Sequence, residues 1–146
     1  MIYIGSDHGG FKLKEDLKKF LKRAKWQYVD VGAKKLVKDD DFTPYTTKVS
    51  KAVQKNPAKN KGILICRSGQ GVCIAANRFK HVRAALAWNE HAATNSRHDD
   101  DANVLCLPSD FISTETAEDI VWFWLTTKFS FEKRFIRRIK EINNLK

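Results

Sequence analysis

Three short segments of the chain collect the side chains that chemistry needs. The first, Cys66-Arg67-Ser68-Gly69-Gln70-Gly71, follows the continuously apolar run Gly62–Cys66. Its two glycines allow a sharp turn that leaves backbone N–H groups uncovered, at the entrance to a helix whose dipole favours negative charge. Such a turn stabilises a phosphate or a developing oxyanion. Cys66 stands beside it, where the helix terminus and Arg67 favour a thiolate, so it is a candidate base or nucleophile. Taken alone, a cysteine that ends a buried strand is more often a small core residue. The second segment is Ser6-Asp7-His8-Gly9-Gly10. An Asp–His pair there could orient ligand hydroxyls, contact a phosphate or shuttle protons; Ser6 or Asp7 could equally cap the helix beginning near Gly10. The third is near the end, where Arg134 and Arg138 stand four apart and so project from one helix face. Two guanidiniums so placed could clamp a phosphate, although Lys133, Arg137 and Lys140 also fit a merely solvated basic helix.

The elements that must position these residues are short apolar runs alternating with amphipathic stretches. Met1–Gly5 reads as a strand, and Phe11, Leu13, Leu17, Phe20 and Leu21 recur at helical spacing among lysines. Trp26–Val31 is a second strand closed by Gly32. An acidic loop, Lys34–Thr43, leads through Pro44 into a helix carrying Tyr45, Val49, Ala52 and Val53. Gly62–Cys66 has the uninterrupted apolar character of a strand buried on both faces. A small-residue helix follows over Val72–Arg78, then a strand at Arg83–Trp88, a short helix at Glu90–Arg97 and a fifth strand at Asn103–Leu107, stopped by Pro108. Ser113 with Thr116 resembles a helix N-cap region, and a final basic helix runs from about Phe131.

This alternation implies parallel strands with right-handed crossovers and helices on both faces. The expected architecture is therefore α/β: a Rossmann-like three-layer sandwich with a five-stranded parallel sheet and a C-terminal helix, all in one domain over residues 1–146. Ligands in such open sheets bind at the carboxyl ends of the strands, near a topological switch point. That rule singles out Ser6–Gly10, Arg67–Gly71 and the polar segment His98–Asp101 before strand five.

The 146 residues fit one domain, and 42% hydrophobic with 30% charged content excludes wholesale disorder. No apolar run approaches the roughly 20 residues that span a bilayer, and MIYIGSDHGG lacks the build of a secretory signal, so no membrane association and a cytoplasmic location are expected. Cys66, Cys73 and Cys106 are an odd number without CxxC spacing, which argues against a disulfide framework and gives no zinc signature. A net charge of +10 attracts anions of any kind. Nucleic acid would need a basic stripe interleaved with aromatics or a known motif, and neither is evident.

Together, the segments resemble a known family. Gly5-Ser6-Asp7-His8-Gly9-Gly10-Phe11 with Leu13-Lys14, Gly62-Ile63-Leu64-Ile65-Cys66 with Ser68-Gly69-Gln70-Gly71, Ile74-Ala75-Ala76-Asn77-Arg78, Val82-Arg83-Ala84-Ala85-Leu86, Asp101-Ala102-Asn103-Val104-Leu105, and Arg134 with Arg137-Arg138 occur in the order seen in type B ribose-5-phosphate isomerases and their ribose/galactose sugar-phosphate isomerase relatives. The resemblance implies aldose–ketose isomerisation through a cis-enediolate, without metal or organic cofactor. Cys66 matches the base of the family's cysteine-using branch; Val72 stands where another branch places a glutamate. Ser68 and the amides of Gly69, Gln70 and Gly71 match the oxyanion-stabilising loop, Asp7 and His8 the sugar-binding positions, and Arg134 with Arg138 the phosphate-binding arginines. The resemblance further implies a homodimer, or a tetramer, whose sites combine loops of two subunits.

There are departures from the family pattern. Arg97-His98-Asp99-Asp100-Asp101 puts Asp99 where relatives carry the ring-opening His, with His98 one residue early, and Asp100 replaces an Asn. Either His98 or Asp99 then opens the ring, or this step is slow, and the acidic run could repel a phosphate. Phe42 replaces a common Tyr, and Asp110 falls near a position where relatives carry a phosphate-facing Arg. Arg67, where Gly or Asn is commoner, could supply the compensating charge. A different phosphorylated aldose, such as allose or galactose 6-phosphate, and a non-catalytic sugar-phosphate-binding module are the alternatives to a ribose 5-phosphate isomerase.

Overall fold

The structure, a computed structural model, describes residues 1–145. Five strands, β1 (Ile2–Ser6), β2 (Tyr28–Asp30), β3 (Lys61–Cys66), β4 (Ala84–Leu86) and β5 (Val104–Pro108), form one all-parallel sheet in the order β2-β1-β3-β5-β4. The helices are α1 (Phe11–Arg23), α2 (Thr43–Gln54), α3 (Gln70–Ala76), α4 (Glu90–His98), α5 (Thr114–Thr126) and α6 (Lys133–Asn143). The expected parallel sheet and three layers are what the chain forms.

Two apolar layers sandwich the sheet. One joins Leu13, Leu17, Phe20 and Leu21 of α1 and Ala117, Ile120, Val121 and Trp124 of α5 to Ile4, Ile63, Ile65 and Leu105. The other joins Val49 and Val53 of α2 and Val72 and Ala76 of α3 to Leu64, Cys66, Val104 and Cys106. Successive residues of β3 thus serve opposite layers, which is why its sequence is apolar without alternation. The helix leaving β1 covers one face and the helix leaving β3 covers the other. The chain reverses its winding between those two strands, and the rule for open parallel sheets puts the ligand crevice at the carboxyl ends of such a switch point.

Element ends shift from the expected bounds for local reasons. β2 is shorter than Trp26–Val31 because Trp26 leaves the strand to pack against Phe20 and Trp122, at ring-centroid distances of 6.0 and 5.2 Å. β4 is shorter than Arg83–Trp88: the Arg83 guanidinium is held by Asp101, while Trp88 is exposed. α3 begins at Gln70 rather than Val72, since Gly69 caps it with a left-handed φ of 71°. It ends at Ala76 rather than Arg78, where Asn77 turns to exchange hydrogen bonds with Ala84. α6 begins at Lys133 rather than Phe131, whose φ is 57°. The Ser113 cap forms as expected, its Oγ accepting the Thr116 N–H.

A buried cation ties α1 to the sheet edge. Lys14 is inaccessible to solvent, and its Nζ lies 2.8 Å from Asp30 Oδ2 and 2.6 Å from the Ala33 carbonyl. Burial alone would raise the Asp30 carboxyl, but hydrogen bonds from Lys14, Lys18 and the Gly32 N–H outweigh it and hold the group below its ordinary value. Asp30→Asn leaves the buried Lys14 charge with only the part-exposed Glu15 carboxylate, 3.1 Å away, and is expected to cost about 3 kcal/mol in urea unfolding at neutral pH. Because the folded value is depressed, this contribution is complete above the unfolded Asp value of ~3.9 and fades as the pH falls through the lower folded value. The gap between wild type and variant should therefore close in acid. An equal midpoint at neutral pH would show that Glu15 alone neutralises Lys14 and that Asp30 is dispensable.

Candidate active site

The crevice is built by three loops at the carboxyl ends of β1, β3 and β5. The first, Asp7–Gly10, crosses β3 so closely that a Cβ on Gly10 would stand 2.5 Å from the Ile65 carbonyl oxygen. Only glycine fits there. Asp7 Oδ1 accepts the Gly10 N–H at 3.1 Å, so Asp7 braces this loop. Burial raises the Asp7 carboxyl above its usual value, against the lowering pull of the Gly10 N–H and His8.

The second loop carries the thiol. Cys66 ends β3 with its side chain in the layer of Val72 and Cys106, 6% exposed. Ser68 follows, its Oγ 3.4 Å from the Gln70 N–H. Gly71 opens the first turn of α3 against the Phe42 ring, with no room for a side chain between them. Thiol, hydroxyl and turn amides therefore share one rim of the crevice, a thiol beside hydrogen-bond donors of the kind that suit a developing oxyanion. The Arg67 shaft lies over Gly9, and its guanidinium is 3.5 Å from Asp110. The two charge changes noted in the sequence, Arg67 and Asp110, thus form a pair.

Some site residues were not evident from sequence. Ser109 Oγ donates at 2.9 Å to the Gly9 carbonyl and lies 3.1 Å from that of Cys66, locking the three loops together. A serine after a Pro carries no distinguishing signal. Asp40, hidden in an acidic run that reads as solvated loop, lies 2.9 Å from His8 Nδ1 and 2.9 Å from Tyr45 Oη. Tyr45 had only the look of an apolar helix position.

His98–Asp101 is a correction. Sequence reasoning put this segment on the ligand edge with the other two loops; the structure puts it at the opposite, amino edge. The cause is topological, because every crossover helix returns the chain to the amino ends of the strands. Asp101 is held by Arg83, just before β4, and by Arg97 Nη1 at 2.6 Å. One strand length, roughly 15 Å, separates this edge from Cys66.

The remaining site residues gather at that edge. His98 Nδ1 lies 2.6 Å from Asp99 Oδ1, and the His98 ring meets Phe135 of α6 edge-on. Arg134 and Arg138 flank the same Phe135, at 4.5 and 5.8 Å from its centroid, so they do share a face. Burial raises the Asp100 carboxyl, joined by repulsion from Asp99 and opposed by Arg138 and Arg83. The acidic run is thus largely matched by cations. Within one chain, Cys66, Ser68, Asp7, His8, Arg67, Gly69, Gln70 and Gly71 form one group, and His98, Asp99, Asp100, Arg134 and Arg138 form another. Among the described residues, no group of three or more His, Cys, Asp or Glu side chains could hold a metal ion, and no helix is long and apolar enough to cross a membrane.

An all-parallel sheet with a Cys-Arg-Ser-Gly-Gln-Gly turn at its switch point places the chain in the Rossmann-like α/β class. The family is specific: a model described as Ribose/Galactose Isomerase matches residues 2–142, and the chain belongs to that family. Ribose-5-phosphate isomerase B of Mycobacterium tuberculosis is 31% identical over 138 residues, 94% of this chain and 85% of that protein. The crystal structure of ribose-5-phosphate isomerase B from Mycoplasma genitalium with bound ribulose-5-phosphate superposes with a TM-score of 0.94 at 41% identity, covering 97% of this chain and 93% of that one. The Clostridium thermocellum ribose-5-phosphate isomerase B structure gives 0.92 at 37% identity, covering 97% and 94%.

The loop crossing yields a test. Gly10→Ala should lower stability by about 1–3 kcal/mol through overpacking against Ile65 and should reduce turnover more than the loss of folded protein explains. Calorimetry and steady-state kinetics on the same sample check both; unchanged melting would show that the loop has slack.

Proposed function

We propose that the protein is an aldose–ketose isomerase interconverting ribose 5-phosphate and ribulose 5-phosphate, with Cys66 as the general base. The observation that carries this reading is the thiol at the end of β3, on the same rim as Ser68 and the Gly69–Gly71 amides, in a chain of this family. Cys66 takes the C2 proton of the open-chain aldose and returns it to C1, while the hydroxyl proton on O2 passes to O1 to give the ketose. The electron pair stays within the substrate, so no external oxidant or reductant is required. Ser68 and the turn amides hold the enediolate oxygen, and Asp7 and His8 engage sugar hydroxyls.

The second group reaches the first in a dimer. Arg134 and Arg138 bind the substrate phosphate across the interface, and His98 or Asp99 opens the furanose ring there. What supports this is the separation of the two groups along the strands of one chain, together with exposed aromatic side chains at Phe111, Phe131 and Trp88. A pentose-phosphate isomerase of this kind works in the cytoplasm.

Cys66→Ala should lower isomerisation by at least about 10³-fold while phosphate-sugar binding persists; loss of binding with turnover retained contradicts the base role. Wild-type turnover should survive chelator. Arg138→Ala should chiefly raise KM. Mixing the two inactive or weakened variants is decisive for the shared site: re-formed heterodimers contain one intact site, restoring up to about a quarter of wild-type activity. No restoration after subunit exchange would place both groups in one chain's site.

A further inference from the structure

His8 is gripped at two points by one carboxylate. Asp40 Oδ1 accepts the His8 backbone N–H at 2.7 Å and lies 2.9 Å from its Nδ1, while Asp40 Oδ2 accepts the Tyr45 hydroxyl at 2.9 Å. Asp39, with a left-handed φ of 58°, turns the acidic loop just before this contact. We propose that Asp40 is a positioning residue for His8, holding the proton on Nδ1 so that Nε2 faces the sugar phosphate, donating to an anionic group as imidazolium and accepting from a hydroxyl as neutral imidazole. This deepens, and rests on, the isomerase reading above.

The chemistry follows from the partners. A carboxylate accepts and cannot donate, so the ring nitrogen facing it carries the proton. Among the described residues, Nε2 has no protein hydrogen-bond partner and is the one ring nitrogen left for a ligand. The Tyr45 hydroxyl fixes the rotation of the carboxylate, and the backbone contact fixes its distance from the ring. Tyr45 sits in the first turns of α2, so helix, acidic loop and ligand loop form one unit.

The charged and titratable groups around His8 are Asp7 on its own loop, Asp40, Tyr45 behind Asp40, and Arg67, whose shaft crosses the neighbouring Gly9. The Asp40 hydrogen bond raises His8 above the ordinary imidazole value, against a smaller opposing pull from burial. Burial would lift Asp40 itself, but the His8 N–H, the Tyr45 hydroxyl and the His8 ring together hold it below the usual carboxylate range. His8 therefore remains imidazolium to higher pH than a free histidine, and that form donates from Nε2. The benefit to an anionic substrate is present at low pH and is lost as the pH rises through the raised value.

Two variants separate charge from geometry. Asp40→Asn keeps an acceptor oxygen, so long-range ¹⁵N–¹H spectra should still show His8 protonated on Nδ1, with its titration moved to lower pH. Asp40→Ala removes both effects, so the Nε2–H tautomer should grow and the titration should fall further. In ribose 5-phosphate kinetics, Asp40→Ala should raise KM about tenfold, the cost of one charge-assisted hydrogen bond, with a smaller change in kcat. The alkaline limb of kcat/KM should move down in pH. Placed on His8→Ala, the Asp40→Ala change should add nothing, as expected for groups acting as one unit. Unchanged tautomer and titration in Asp40→Ala, or full additivity with His8→Ala, overturns the proposal. The spectra do not depend on turnover, so a wild type inactive on ribose 5-phosphate would defeat the isomerase reading while leaving the Asp40–His8 relation measured.

Discussion

The ligand crevice depends on how closely the loop after β1 can lie on the backbone of β3. At Gly10 that approach leaves no space for even one methyl group. Because the loop can settle there, Asp7 and His8 stand at the rim that ends in Cys66, and Ser109 can reach the carbonyls of both Gly9 and Cys66. The reversal of winding between β1 and β3 opens the crevice, and this contact decides which side chains line it. Residues far apart in the chain become one site through backbone geometry, before any side chain makes a contact.

Much of this was legible in the sequence, for identifiable reasons. Gly62–Cys66 is apolar throughout because alternate residues feed two different helical layers, a pattern that marks a central parallel strand. The turn from Ser68 to Gly71 was legible because glycines at a strand–helix junction have few other uses. Asp40 was not legible. A carboxylate among three consecutive acids looks like solvated loop, and only the fold shows that one of them faces His8. The placement of His98–Asp101 failed for a different reason. A polar segment next to a strand carries no sign of which end of the sheet it occupies, and a segment before a parallel strand lies on the far edge from one after it.

The charge pattern is similarly uninformative until it is folded. A net charge of +10 suggests a broad attraction for polyanions. Yet Lys14, Lys18 and Lys34 all converge on Asp30, and Arg83 and Arg97 converge on Asp101. These cations secure a sheet edge and a loop. Arg134 and Arg138, by contrast, stack on Phe135 on one exposed helix face, Arg134 also pairing with Glu132 at 2.9 Å.

The sheet ends on each side in a strand of only three residues, β2 and β4. Long open edges invite another polypeptide to extend the sheet, and short ones flanked by charge discourage it. At β2 the exposed Lys34 beside Asp30 adds a solvated charge. Copies of this chain are therefore steered away from joining strand to strand into open-ended ribbons.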